Sequence, residues 1–364
     1  MAEEKETILR IRDLHITFCS LDGSIHAIQG VDLDLAKGET VALVGESGSG
    51  KSVTMKAVMG ILANNVSAGK GTIEFRYHHE DGRTETVDIL KQDKKWIRRN
   101  INGKRIAMVF QDPMTSLDPT MSIGKQIMEG MIWHFKIPKQ EAWNRAVELL
   151  KEVEMEEPRK RMKQYPHQLS GGQRQRVVIA IALACNPEIL ICDEPTTALD
   201  VTIQAKIIEL IKRIQKERQL SVVYITHDFG VVAKIADYVN VMYAGKIVEK
   251  GTTDEIFYDP RHPYTWGLLS AMPDLDAREE RLSTIPGSPP NLLYERAGDA
   301  FAPRNPYALV VDDKVKPPMF RITDTHFAAT WLLDPRAPKV EMPKQLRLRL
   351  NRMKKEAEEH AGKL

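Results

Sequence analysis

The segment Gly45-Glu46-Ser47-Gly48-Ser49-Gly50-Lys51-Ser52 constrains the fold of this chain more than any other. It fits the pattern GxxxxGK[ST]. A short apolar run, Thr40–Val44, precedes it, and a helical pattern from Ser52 to Leu62 follows. Gly45, Gly48 and Gly50, with Ser47 and Ser49 between them, let a loop wrap closely so that its backbone N–H groups face phosphate oxygens. The helix that begins near Lys51 turns its positive end to the same place. Lys51 is then placed to neutralise β- and γ-phosphates, and the Ser52 hydroxyl to take one position on Mg²⁺. A chance glycine turn would not need a strand before it and a helix after it. Strand, turn and helix in that order make an α/β unit that binds a nucleotide.

The other strand candidates build a site around this loop. Ile106–Phe110, Ile189–Cys192 and Val222–Thr226 are apolar runs flanked by helical stretches, as a mostly parallel sheet requires. Ligands bind at the carboxyl ends of such strands. Ile189–Cys192 delivers Asp193 and Glu194 to that edge. Asp193 suits the Mg²⁺ shell. Glu194, one residue on and pointing elsewhere, suits polarising a water for in-line attack on a γ-phosphate. Cys192 reads as a small apolar residue of a core strand. Alternation through Ile8–Phe18 and Val31–Leu35 marks a β-rich N-terminal part, with a long loop expected over Cys19–Ile25. Between Gln111 and Gln168, Ile123–Phe135 and Pro138–Val153 read as helices with no strand between them, a helical insertion of about residues 112–168.

Leu169-Ser170-Gly171-Gly172-Gln173 stands just before a helical pattern, Arg174–Ala184, and makes a second anion site at a helix N-terminus. The phosphate loop, this pentapeptide and Ile189-Leu190-Ile191-Cys192-Asp193-Glu194-Pro195 closely resemble, in order and spacing, the nucleotide-binding domain of an ABC transporter. The resemblance covers about residues 8–255 and implies a P-loop NTPase, ABC-type α/β fold with ATP and Mg²⁺ as ligands. It implies that the LSGGQ of one subunit closes over the nucleotide held by the other, so Ser170, Gly171, Gly172 and Gln173 serve a partner's ATP. Gln111 matches the Q-loop glutamine, which senses Mg²⁺ and the attacking water. Ala198-Leu199-Asp200 matches the D-loop, with Asp200 contacting the opposite subunit. His227, after Val222–Thr226, matches the switch histidine that reaches the γ-phosphate. Phe18 is the candidate for the aromatic that stacks on adenine, although it could equally be core.

Two further segments narrow the resemblance. Gln111-Asp112-Pro113-Met114-Thr115-Ser116-Leu117-Asp118-Pro119 looks like the ATPase of the oligopeptide/dipeptide importer subfamily, as does Arg261-His262-Pro263-Tyr264-Thr265 followed by Leu268-Leu269-Ser270-Ala271-Met272-Pro273. The C-terminal stretch with Ile285-Pro286-Gly287-Ser288-Pro289-Pro290 is similar to that subfamily too. His262 and Tyr264 are read as packing this extension on the core. Many relatives carry cysteines in the extension, and some bind an iron–sulfur cluster there. Here Asp299 and Asn305 stand at those positions and no cysteine follows Cys192, so no iron–sulfur centre is expected.

The resemblance implies an ATP-hydrolysing subunit that energises peptide uptake through two separate transmembrane permease subunits. An extracytoplasmic peptide-binding protein would deliver the cargo. A second ABC ATPase, a paralogue, would complete the ATPase dimer, and the chain would lie on the cytoplasmic face of the cell membrane. Uptake of nickel or another small solute is the alternative, since cargo leaves no mark on the ATPase. A soluble ABC ATPase of DNA or ribosomes would carry a long coiled-coil insertion or two motif sets, and neither is present.

Composition agrees. With 52 Lys and Arg against 50 Asp and Glu, the net charge of +2 gives no bulk attraction to nucleic acid. The longest apolar run, Val177–Cys185, is far short of the roughly 18–20 residues that span a bilayer. The polar start MAEEKETILR has no apolar signal core, and three scattered cysteines fit a reducing compartment. The chain divides into an ATPase domain, 1–258, and an extension, 259–364, expected to be irregular because prolines recur after Pro260. Its last stretch, with seven Lys/Arg and four Glu in residues 340–364, is expected to be a solvated, charged helix.

Overall fold

The computed structural model describes residues 6–21, 23–79, 82–197, 199–272 and 284–361. Its N-terminal part is an antiparallel sheet of β1 (Thr7–Ser20), β2 (Gly23–Ala36), β4 (Val66–His78) and β5 (Thr84–Asp88), in the order β2-β1-β4-β5. The pairing of β1 with β2 continues through Phe18↔Ile25 to Ser20↔Gly23. The expected loop at Cys19–Ile25 is therefore mostly ladder. Gly23, at the start of β2 with φ 134°, adopts a backbone that residues with a Cβ avoid.

The second sheet runs β11-β12-β10-β9-β3-β8-β7-β6. Its parallel body is β9 (Tyr238–Tyr243), β3 (Thr40–Val44), β8 (Ser221–Thr226), β7 (Ile189–Asp193) and β6 (Ile106–Val109). Period-two alternation sorts its side chains. Val41, Leu43, Ile106, Met108, Ile189, Ile191, Val223 and Ile225 share one cluster with the N-terminal sheet and α1 (Lys51–Val58). Ala107, Val109, Leu190, Cys192, Val222 and Tyr224 face α7 (Gly171–Leu183) and α8 (Val201–Arg218) on the other side. Both faces are covered, so the strands read as continuous apolar runs.

The helical insertion carries α3 (Pro113–Ser116), α4 (Ile123–Phe135), α5 (Lys139–Glu152) and α6 (Pro158–Arg161). Ile123, Ile127 and Met131 recur at the i+4 spacing of one helix face and bury against α7 with Ala146 and Leu150 of α5.

After β10 (Lys246–Thr252) and α10 (Thr253–Tyr258), the extension packs back onto the core through α11 (Pro263–Ser270) and α12 (Lys344–Ala361). Tyr264, Trp266, Phe301, Leu346 and Leu350 join Val44, Val241 and Tyr243 of the core sheet in one cluster. The charged last stretch is helical, as expected, yet it is not simply solvated: Leu346 and Leu350 are buried beneath its basic outer face. Among the described residues between α11 and α12 the regular pieces are short: single 3₁₀ turns at Ala302–Arg304 and Trp331–Leu333, and two-residue strands, β11 (Phe320–Arg321) and β12 (Phe327–Ala328), of which β12 pairs antiparallel with β10 and β11 with β12, lengthening the core sheet. No helix among the described residues is long and apolar enough to cross a membrane.

Candidate active site

Four parallel strands end at one edge, and each hands over to a residue singled out by the sequence. β3 leads into the phosphate loop, β6 to Gln111, β7 through Asp193 to Glu194, and β8 to His227. The register fixes their relative height, because Val44 lies opposite Thr226 and Asp193 opposite Ile225.

The loop is held in a shape that only glycine at its first position allows. Gly45 has φ 148°, and a Cβ there would meet the Met242 carbonyl oxygen at 2.1 Å. Gly50 caps α1 with no side-chain hydrogen bond, which leaves that helix end to an anion. Lys51 is only 5% exposed, and its ammonium donates to the carbonyls of Gly45 (2.7 Å) and Glu46 (2.9 Å). Burial pulls its pKa down, against the opposing pull of Glu194, Asp193 and Glu46. A buried cation with this environment gains from an incoming polyanion.

The Ser52 hydroxyl donates to Asp193 Oδ1 at 2.8 Å. Asp193 is also 5% exposed, and burial raises its pKa, with the Ser52 hydrogen bond opposing. A hydroxyl and a buried carboxylate brought together are oxygen donors that fit a hard divalent cation such as Mg²⁺. Among the described residues no group of three or more His, Cys, Asp or Glu is arranged to hold a metal.

Glu194 collects the remaining residues. Its Oε2 accepts from Gln111 Nε2 (3.0 Å) and Thr197 Oγ1 (3.0 Å), and its Oε1 lies 3.3 Å from His227 Nδ1. Glu194 holds a left-handed backbone, φ 46°, which costs a non-glycine residue about 1 kcal/mol. Its N–H donates to the Ile225 carbonyl and keeps the turn in place. A carboxylate oriented by three polar groups at a strand end is arranged to accept a proton from a bound water.

The structure does not bring every sequence-selected residue to this point. Ser170 caps α7, accepting from the Gln173 N–H at 3.3 Å while Gln173 Oε1 accepts the Ser170 N–H at 3.0 Å. Ser170 and Gly171 face solvent. Gly172 has a packing reason of its own, since a Cβ there would meet Ile203 Cγ2 at 2.7 Å. Asp200 caps α8 through the Ile203 N–H, 2.9 Å away, and is exposed. Ala198 lies outside the described residues, as does Pro273. Phe18 is half-buried against the N-terminal cluster. Cys192 is fully buried, and burial pushes its thiol pKa up, in keeping with a core role.

Three contacts were not legible in the motifs. Thr197 supports Glu194, as above. The Tyr264 hydroxyl accepts the Glu46 N–H at 2.8 Å, and Arg304 pairs with the Glu46 carboxylate. His262 and Tyr264 pack the extension as expected, but Tyr264 also reaches the phosphate loop. Asp299 and Asn305, at the positions of the missing cysteines, accept from the N–H groups of Phe301 and Tyr307 in tight turns. Burial pushes the Asp299 pKa up to about 6.

Known proteins place this arrangement. Residues 28–197 match the ABC transporter family model, and residues 248–310 match the oligopeptide/dipeptide transporter C-terminal region. The oligopeptide transport ATP-binding protein OppD of Bacillus subtilis is 54% identical over 348 residues, 95% of this chain and 94% of that protein. The dipeptide transport ATP-binding protein DppD of Lactococcus lactis is 54% identical over 341 residues, covering 93% of this chain and 94% of that one. Among solved structures, a dimeric ATP-binding cassette in a post-hydrolysis state with ADP and Pi is similar at a TM-score of 0.58. It is 28% identical and covers 68% of this chain and 99% of its own. A strand edge that gathers loop, acidic pair, glutamine and histidine, together with relatives alike over nearly their whole length, places the chain in the ABC transporter family, among its oligopeptide and dipeptide transport ATP-binding proteins.

Proposed function

We propose that this chain binds and hydrolyses ATP as the motor subunit of an importer for oligopeptides or dipeptides. The observation that carries the ATPase reading is the convergence of Gln111, Thr197 and His227 on Glu194, beside the buried Ser52–Asp193 pair. In this reading Gly45, Ser47, Gly48, Ser49, Gly50, Lys51 and Ser52 hold the phosphates, with Lys51 neutralising their charge. Ser52, Asp193 and Gln111 hold Mg²⁺, which when bound offsets the charge of the transferred phosphoryl group. Glu194 takes a proton from the attacking water, Gln111 orients that water, and His227 reaches the γ-phosphate. Phe18 stacks on the adenine.

Ser170, Gly171, Gly172, Gln173 and Asp200 serve the second ATPase subunit; Ser170, Gly171 and Asp200 are exposed, and Ser170 and Gln173 cap their own helix. Closure and reopening of that dimer follow gain and loss of the γ-phosphate. The ATPase domain, 1–258, transmits the movement through its helical part, about 112–168. Trp133 (42% exposed) and Phe135 (38%) leave apolar surface at the end of α4 suited to a membrane subunit. That contact would place the chain peripherally on the cytoplasmic face of the membrane, beside two permease subunits, with a binding protein presenting peptide outside. The extension, 259–364, holds no iron–sulfur cluster in this reading, since Asp299 and Asn305 offer no thiolate and are engaged in turns.

A mild-detergent pull-down from native membranes, followed by reconstitution of the complex into proteoliposomes, tests the proposal. Two multi-spanning subunits, a second ATPase and a peptide-binding protein are expected. ATP should drive uptake of a labelled pentapeptide or dipeptide, abolished by Lys51→Ala. Uptake of Ni²⁺ in place of peptide would move the reading to a small-solute importer. Co-purification of ribosomal or DNA-repair proteins without membrane subunits would overturn transport altogether.

A further inference from the structure

The phosphate loop contains one acidic residue, Glu46, and a carboxylate beside a triphosphate works against binding. In this fold the C-terminal extension meets that carboxylate. Arg304 donates Nη1 to Glu46 Oε2 at 2.6 Å and Nη2 to Oε1 at 3.0 Å, a two-pronged pair between residues 258 positions apart. The Arg304 side chain is 5% exposed and that of Glu46 is 28% exposed. Nε of Arg304 donates to the Pro286 carbonyl at 2.8 Å, and Nη1 lies 3.3 Å from the Tyr243 hydroxyl. The guanidinium is thus held from several sides, and lysine could not reproduce its fork. Tyr264, fully buried, fixes the backbone of the same loop residue through the Glu46 N–H. Packing of the extension did not require an ion pair at the one acidic position of the loop, since the apolar cluster of Tyr243, Tyr264 and Phe301 lies alongside.

We propose that Arg304 is a positioning residue of the nucleotide site, which neutralises Glu46 and turns its carboxylate toward the extension so that the polyphosphate meets no unpaired negative charge from the loop. The extension is then part of the nucleotide site. This rests on the reading of residues 45–52 as the phosphate loop.

The test measures mant-ATP binding of the full-length chain and ATP turnover of its membrane complex for the wild type, the Arg304→Gln and Glu46→Gln variants, and the double variant. Arg304→Gln is expected to raise the Kd about tenfold, with kcat at saturating ATP largely kept. Adding Glu46→Gln removes the exposed charge and should bring the Kd back to within about twofold of the wild type. A purely structural role predicts the opposite, because the double variant would bind as weakly as Arg304→Gln alone. That result, or unchanged binding by Arg304→Gln, overturns the proposal. Glu46→Gln by itself should bind at least as tightly as the wild type. It decides the matter if Arg304→Gln does not fold, since weaker binding there also overturns it. Wild-type chain that fails to bind mant-ATP refutes the phosphate-loop reading itself, whereas normal wild-type binding with an indifferent Arg304→Gln refutes only the role of Arg304.

Discussion

Glu194 bears the most consequence per atom in this chain. Its two oxygens meet three side chains, and its backbone is held in a left-handed turn that a β-strand run would not adopt unaided. Replacing it by glutamine keeps the volume and one acceptor oxygen but removes the proton acceptor. Turnover of Glu194→Gln is therefore expected to fall by about 10²–10⁴, while ATP binding persists, because binding depends on the loop and Lys51. Steady-state phosphate release set against nucleotide binding checks this; turnover within a few-fold of the wild type would remove Glu194 from the base role. Gln111 and His227 beside it were legible through the resemblance to the ABC transporter family, each following a strand candidate. Thr197 and Arg304 were not. Thr197 lies between the acidic pair and the Ala198-Leu199-Asp200 match, neither of which marks its contact, and Arg304 meets Glu46 across 258 residues, a contact that only the folded extension creates.

At the scale of elements, strands were read best where both faces are buried. Thr40–Val44, Ile189–Cys192 and Val222–Thr226 are continuous apolar runs, and the observed strands differ from them by no more than one residue at an end. The Ile123–Phe135 helix coincides with α4 because its apolar spacing continues without interruption to its caps. Two-residue strands have no period to detect, so β11 and β12 were invisible. Their attachment depends instead on Glu249, a fully buried carboxylate in β10. Its Oε1 accepts the Arg261 N–H at 2.6 Å and lies 2.8 Å from His326 Nε2, and its Oε2 accepts the His262 N–H at 3.1 Å. One side chain thus ties the start of α11 and the β11–β12 hairpin to the core sheet. Glu249→Ala leaves these buried donors without a partner and is expected to destabilise the extension by about 3–5 kcal/mol. Hydrogen exchange should report the loss locally, at the amides of residues 261–270 and 320–329. Unchanged protection there would mean that the apolar cluster alone holds the extension.

For the whole molecule, the proposed nucleotide clamp turns on one feature: the chain carries a phosphate loop and an LSGGQ segment, and Ser170 of that segment caps its own helix. Gln111, Asp193, Glu194 and His227 meet at the strand edge, whereas Ser170 and Gly171 open α7 toward solvent. The arrangement becomes useful when another ATPase chain presents its nucleotide to that helix end, whose dipole and free N–H groups suit a γ-phosphate. Gly171→Asp separates the two possibilities. A Cβ at Gly171 meets nothing closer than Leu199 Cδ2 at 3.5 Å, an ordinary contact. A carboxylate in the first turn of α7 also favours the helix. The variant should therefore fold at least as well as the wild type. The isolated chain should bind mant-ATP with unchanged Kd, because its own loop is untouched. In the membrane complex the proposed dimer would set the new carboxylate against the partner's γ-phosphate, and ATP turnover is expected to drop by about 10²-fold or more. A weakened Kd in the isolated chain would mean that α7 closes over the chain's own nucleotide. Full turnover in the complex would mean that this helix end touches no nucleotide, and the clamp would have to be sought elsewhere on the surface.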